Sequence, residues 1–179
     1  MSEPALSIGL FYGSTTCYTE MAAEKIQAQL NSLFDEQIVS IHNIQDVNLK
    51  HCEDYDIIIF GISTWDFGEL QEDWESHWED VYKLALQDKI VALYGLGDQI
   101  GYADWFQDAL GMLHDAIAPS GCNIIGYWPN QGYDFAESKA LTADKSQFVG
   151  LSLDDENQYD LTDERIHNWC HQLLEEMGQ

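Results

Sequence analysis

A chain of 179 residues with 45% hydrophobic and 12% aromatic side chains is long enough to bury a full core in one domain and too apolar to stay disordered. Its 32 carboxylates against 7 Lys and Arg give a formal net charge of -25, which repels nucleic acid and anionic lipid and attracts basic protein surfaces. No run reaches the roughly 18 apolar residues of a membrane span, residues 1–10 carry no basic signal start, and Cys17, Cys52, Cys122 and Cys170 are scattered with no C-x-x-C pair, so the expectation is a cytoplasmic protein with reduced thiols and no metal.

In chain order, LSIGLFY (6–12) ends in Gly13 and reads as a buried strand. A helical pattern follows from about Tyr18 to Leu30, with Met21, Ala22, Ile26 and Leu30 on one face. QIVSIH (37–42) and DIIIF (56–60) read as the second and third strands, the latter covered on both faces. Glu72–Leu84 reads as one helix with Trp74, Trp78, Val81 and Tyr82 turned inward, and KIVALYG (89–95) as the fourth strand. Tyr102 to about Ile117 is helical, CNIIGYW (122–128) is the fifth strand, and QFVGLSL (147–153) can add a short one. A last helix spans 163–177, with Thr162 as its N-cap. Alternating strands and helices imply right-handed crossovers, a parallel sheet, and a ligand crevice beyond the strand C-termini. The loops that matter are then 13–19, 61–69 and 95–102.

Those loops are chemically unusual. Ser14, Thr15, Thr16 and Thr19 set hydroxyls around a helix start whose backbone N–H groups are unpaired, a cradle for an oxyanion without any Lys or Arg. Hydrogen bonds to a charged acceptor contribute roughly 1.5–3 kcal/mol each, so neutral donors suffice for a phosphate monoester. Trp65 stands just beyond a buried strand, and the glycine-rich YGLGDQIGY (94–102) ends in Tyr102. Taken singly, each has an ordinary reading: a capped helix, a packed Trp, a tight loop. Together they specify an organic phosphate bearing a planar ring, with the two aromatics as covers. Flavin mononucleotide (FMN) fits best.

GISTWDFGE (61–69), GLGDQIGYADWFQDALG (95–111), QFVGLSLDDENQ (147–158) and the spacing of the hydroxyl loop resemble the long-chain flavodoxins over essentially the whole chain. Within that family STTCYT, TWDFGE with QEDW, and GYWP are most similar to the flavodoxin-2 type of bacteria. The resemblance implies a single flavodoxin-like α/β domain over 1–179: a doubly wound, five-stranded parallel sheet in the order 2-1-3-4-5, with a long-chain insertion from about Pro129 to Leu153. It implies a monomeric electron carrier and not an enzyme, binding FMN without a covalent bond and shuttling between semiquinone and hydroquinone. Electrons would come from a basic partner such as an NADPH-flavodoxin reductase and pass to low-potential acceptor enzymes. By position, Ser14, Thr15, Thr16, Cys17, Tyr18 and Thr19 hold the phosphate. Ser63, Thr64, Trp65, Asp66, Phe67 and Gly68 line one side and edge of the ring. Leu96, Gly97, Asp98, Gln99 and Tyr102 meet the other side, and Asp154 reaches toward the ribityl chain.

Three positions depart from the family pattern: Cys17 for Gly, Tyr18 for Asn, and Ser63 for Pro before the Thr-Trp pair. Because a side chain disfavours positive φ, the backbone at Cys17 is expected in the αR or β region. In the 65–68 turn, the Asp66–Phe67 carbonyl is expected to rotate toward the flavin N5–H on reduction. Asp66, Glu69, Glu72, Asp73, Glu75, Glu79 and Asp80 crowd 66–80 without a cation. They would oppose negative charge on the ring and attract basic partners. His167 and His171 lie four apart on the last helix, a chelating spacing that without a third ligand reads as a solvated face. A low-molecular-weight phosphatase needs Arg six residues after its Cys, where this chain has Ala23, and a receiver domain needs Asp at the end of strand three, where it has Phe60 and Gly61. An FMN-dependent NAD(P)H:quinone reductase is the alternative reading.

Overall fold

The apolar runs become parallel strands because both of their faces are covered. In the computed structural model, which describes residues 7–13 and 17–178, β1 (Ile8–Tyr12) is buried at all five positions. The first six residues of β3 (Ile57–Trp65) are buried, as are the last six of β5 (Ile90–Leu96). α1 (Tyr18–Phe34) and β2 (Val39–Asn43) complete the first crossover unit. β1 pairs in parallel with β2 on one side and β3 on the other, placing Ile8 opposite both Val39 and Ile57. β3 then pairs with β5, Ile57 opposite Ile90. A two-residue strand, β4 (Glu69–Leu70), folds back antiparallel on the end of β3.

The fifth strand position is filled twice. β6 (Asn123–Ile125) pairs with Ile90–Ala92, and β9 (Leu151–Leu153) pairs with Tyr94–Leu96. These are the lower and upper halves of one strand, parted by residues 126–150. The expected order 2-1-3-4-5 therefore holds, with the last strand split by an insertion that starts and ends about three residues before the expected Pro129–Leu153. Inside the insertion, β7 (Trp128–Pro129) and β8 (Gln147–Phe148) form a small antiparallel pair. Tyr133, Phe135 and Phe148 pack around buried Phe106, with ring centroids 5.7, 5.2 and 5.8 Å away. Arg165, the only arginine, lies 4.2 Å over the Tyr133 ring.

Helices cover both sheet faces. α1 and α5 (Tyr159–Glu176) bury Ile26, Leu30, Trp169 and Leu173 on one side. On the other, α4 (Asp108–Ile117) buries Leu110 and Leu113 beside Phe60 and Trp74. Four readings of the sequence need correction. Glu72–Leu84 is two short helices, α2 (Glu72–Ser76) and α3 (Trp78–Val81), broken at His77, whose Nε2 bonds the Ile44 carbonyl at 2.9 Å. The like charges of Glu72, Asp73, Glu75, Glu79 and Asp80, with Lys83 as the only cation of the segment, also weaken one continuous helix. The 102–117 segment is a 3-10 turn (Ala103–Trp105) and then α4, separated by the left-handed Gln107 at φ 61°. Thr162 lies inside α5, its hydroxyl donating to Asp155, and the helix starts three residues earlier. Met21 and Tyr82, expected inward, are exposed, while Trp78 is half-buried and Trp74 and Val81 are buried.

Gly111 shows how tightly the insertion is seated. A Cβ there would lie 2.2 Å from the Lys139 carbonyl oxygen, so α4 meets the insertion backbone with no room for a methyl group. Gly111→Ala should lower stability by about 1–3 kcal/mol, read as a lower urea midpoint with an unchanged slope.

Candidate functional site

Parallel strands end together, so the loops after β1, β3 and β5 meet at one edge of the sheet. They enclose a cleft of about 210 Å³. One wall is Ser63, Thr64, Trp65 and Asp66, and the opposite wall is Leu96, Gly97, Asp98 and Tyr102. Tyr18, the first residue of α1, lines it as well. Thus nine of the expected residues come together. Trp65 and Tyr102 have no aromatic partner among the described residues, and Tyr102 is 40% exposed. Two unstacked rings in a slot are positioned to cover a flat ligand.

Each wall is held from behind. The Ala109 amide donates to Thr64 Oγ1 at 2.9 Å, fixing the end of β3 to the start of α4. The Ser63 and Thr19 hydroxyls share a hydrogen bond of 2.5 Å, and Tyr94 Oη donates to the Thr19 carbonyl at 2.9 Å. Thr19 is thereby buried beneath the loop, outside the cleft lining. Beyond Trp65 the chain turns through Asp66 (φ 42°) and Gly68 (φ 86°) to begin β4. Asp tolerates the left-handed region better than most residues, which is why the turn forms without a second glycine. Phe67, at the tip, is 67% exposed and packs edge-on against Trp105, with centroids 5.0 Å apart. Phe67, Asp108 and Lys139 line a larger open groove of about 740 Å³, and the cleft lining does not include Phe67 or Gly68.

The opposite wall is organised by Asp154. Its carboxylate is fully buried and accepts from the Gln99 amide (3.0 Å), Gln99 Nε2 (2.8 Å) and Asn157 Nδ2 (2.9 Å) through Oδ2. Oδ1 accepts from the amides of Glu156 and Asn157 at 3.1 and 3.0 Å. Gln99 in turn accepts from the Asp134 amide of the insertion. The side chains of Asp154 and Gln99 lie behind the wall and hold it in shape, leaving the backbone of Gly97 and Asp98 along the cleft. Asp98 closes its own loop, accepting from the amides of Ile100 and Gly101 at 3.1 and 2.7 Å and from Asn157 Nδ2 at 2.7 Å.

Two cleft residues were missed by sequence reasoning, Asp155 and Glu156. Their signal was adjacency to Asp154 in the run DDEN, which does not reveal which carboxylate turns inward. Burial pushes the Asp155 carboxyl up from its ordinary range, opposed by the Thr162 hydroxyl. Burial also raises Tyr12, at the end of β1, to about 12, with Glu20 and Glu24 adding to the effect. Lys25, on α1, is held by Asp163 at 2.8 Å; among the described residues this is the only Lys or Arg ion pair. The surroundings of the cleft are thus strongly and almost uniformly acidic.

Ser14, Thr15 and Thr16 lie outside the described residues. Cys17 is exposed, and its backbone corrects the expectation: φ is 70° and ψ -9°, in the left-handed region and not αR or β. Cys17 immediately precedes α1, and a side chain held at this positive φ accepts strain of about 1–2 kcal/mol. Cys17→Gly should relieve it, offset by about 0.4–1 kcal/mol of added unfolded-state entropy. The expected outcome is unchanged or slightly higher stability for Cys17→Gly and a loss for β-branched Cys17→Val, measured by urea unfolding of the ligand-free protein.

Residues 10–169 match the model of the Flavodoxin family. The chain is 56% identical over 174 residues to Flavodoxin 2 of Escherichia coli strain K12, covering 97% of this chain and 98% of that one. It is 46% identical over 171 residues to a flavodoxin of Synechococcus elongatus, covering 96% and 98%. Among solved structures it superposes on the FMN-bound flavodoxin of Fusobacterium nucleatum with a TM-score of 0.87 at 27% identity, over 95% of this chain and 98% of that one. A doubly wound sheet, a slot between two aromatics at its C-terminal edge and a family match over most of the chain agree: this protein is a member of the flavodoxin family.

Proposed function

We propose that the protein is a low-potential carrier of single electrons that holds FMN non-covalently in the 210 Å³ cleft. The observation that carries this reading is the slot itself, walled by Trp65 and Tyr102. When bound, FMN supplies one-electron steps among its oxidised, one-electron-reduced and two-electron-reduced states. The residues present fit it. The first amides of α1 lie at the helix end where an anion is favoured, and the sequence just before it carries the hydroxyl residues Ser14, Thr15 and Thr16. Trp65 and Tyr102 cover the ring, with Thr64 and Asp66 at its edge and Gly97 and Asp98 across from them. Gln99 and Asp154 hold that second wall without touching the ring.

The acidity serves the redox role. A carboxylate roughly 10 Å from the ring, at an effective dielectric near 40, opposes an added negative charge by about 0.8 kcal/mol, which is about 35 mV for one electron. Asp155 and Glu156 in the cleft and the acidic run 66–80 beside it act in the same direction. The same field guides a basic reductase and basic acceptors to this edge, an effect that salt weakens. The unpaired thiols of Cys17, Cys52, Cys122 and Cys170 suit a reducing cytosol.

The purified, never-denatured protein should be yellow and, once stripped, should rebind FMN with quenching of flavin fluorescence. Trp65→Ala and Tyr102→Ala should each weaken binding roughly tenfold; colourless protein that refuses FMN would falsify the reading. Neutralising Glu69, Glu72 and Asp73 as Gln, Gln and Asn should raise the potential of the second electron by on the order of 100 mV. An unmoved potential would mean that stacking and desolvation set it instead.

A further inference from the structure

Asp108 is a buried carboxylate, 2% exposed, at the start of α4. Its Oδ1 accepts from the Lys139 amide of the insertion at 2.8 Å. Its Oδ2 points at the turn that follows Trp65: a Cβ built on Gly68 would lie only 2.8 Å from it. Among the described residues Oδ2 accepts no hydrogen bond. The next residue, Ala109, donates its amide to Thr64 on the cleft wall. The start of α4 therefore grips the flavin-facing loop at one point and faces its turn with an unpaired negative oxygen at another.

A trans peptide unit points its N–H and its C=O in opposite directions. A turn peptide that swings its N–H back toward Oδ2 must swing its carbonyl forward, toward the cleft. Such a bond to a carboxylate is charge-assisted and strong, and the same oxygen repels any carbonyl that faces it. We propose that Asp108 is a positioning residue for the Asp66–Gly68 turn: its Oδ2 captures a turn N–H when the opposite carbonyl turns to the N5 edge of the flavin. The inference rests on the FMN reading above but concerns contacts within the chain that exist without the cofactor. Through Lys139 it also makes the insertion part of the device.

Burial pushes the Asp108 carboxyl above its ordinary range and Glu137 adds to the rise, while the amide and the charge of Lys139 oppose it. Asp104 and Lys145 also line the groove on this side. The turn should therefore respond to a carboxyl that titrates higher than an ordinary Asp.

The test uses Asp108→Asn, which keeps the shape and the acceptor for Lys139, in two measurements. In the FMN-free protein, the amide signals of Phe67 and Gly68 should shift with pH at a midpoint above the ordinary carboxylate value, and Asp108→Asn should abolish that shift. In the FMN-loaded protein, the substitution should disfavour the first one-electron step about tenfold, which is about 59 mV lower, with FMN affinity changed less than threefold. Turn signals that ignore pH or the substitution overturn the proposal. A potential that rises instead of falling overturns it too, because a through-space charge and not turn positioning would then be acting. If the protein refuses FMN, the flavin reading fails by itself and the amide titration alone decides the Asp108 contact.

Discussion

A single buried carboxylate, Asp154, sets the shape of the cleft. Five N–H donors from Gln99, Glu156 and Asn157 converge on it. A charge taken out of water is tolerated only when its oxygens are this well supplied. Meeting that demand draws the loop after β5, the segment after β9 and, through Gln99, the insertion into one rigid wall. The wall is therefore preorganised: the geometry that a planar ligand meets is maintained by bonds it does not have to make.

The opposite wall is built on a different principle. It depends on backbone conformation, with Asp66 and Gly68 both left-handed and Phe67 exposed at the tip between them. One wall is organised around a buried carboxylate, and the other ends in a turn set by left-handed backbone. The negative surroundings act on both, since almost none of the carboxylates is paired with a cation.

Much of this was legible in the sequence. The alternation of apolar runs with helical patterns, and the oddity of three particular loops, were enough to locate the cleft and nine of its lining residues. What escaped was set by tertiary contacts. Cys17 reads as a residue that should avoid positive φ, but the entry into α1 holds it at φ 70°. Thr162 has the chemistry of a cap, yet Asp155 claims its hydroxyl. The side chains of Gln99 and Asp154 bond to each other beneath the surface, a contact between distant stretches that no spacing rule reveals. Nor does spacing reveal that Asp155 and Glu156 line the cleft.

The divided fifth strand has a consequence for how such a chain can vary. Ile125 sits opposite Ala92 and Leu151 opposite Tyr94, so the excursion of residues 126–150 leaves the ladder and rejoins it two residues further along β5. A detour whose ends nearly touch adds little closure entropy, and that cost grows only slowly with length. The ladder is blind to what is spliced in at this point. Shortening, lengthening or replacing the detour leaves the order of the strands untouched, while everything that reaches the cleft through Lys139 and Asp134 changes with it.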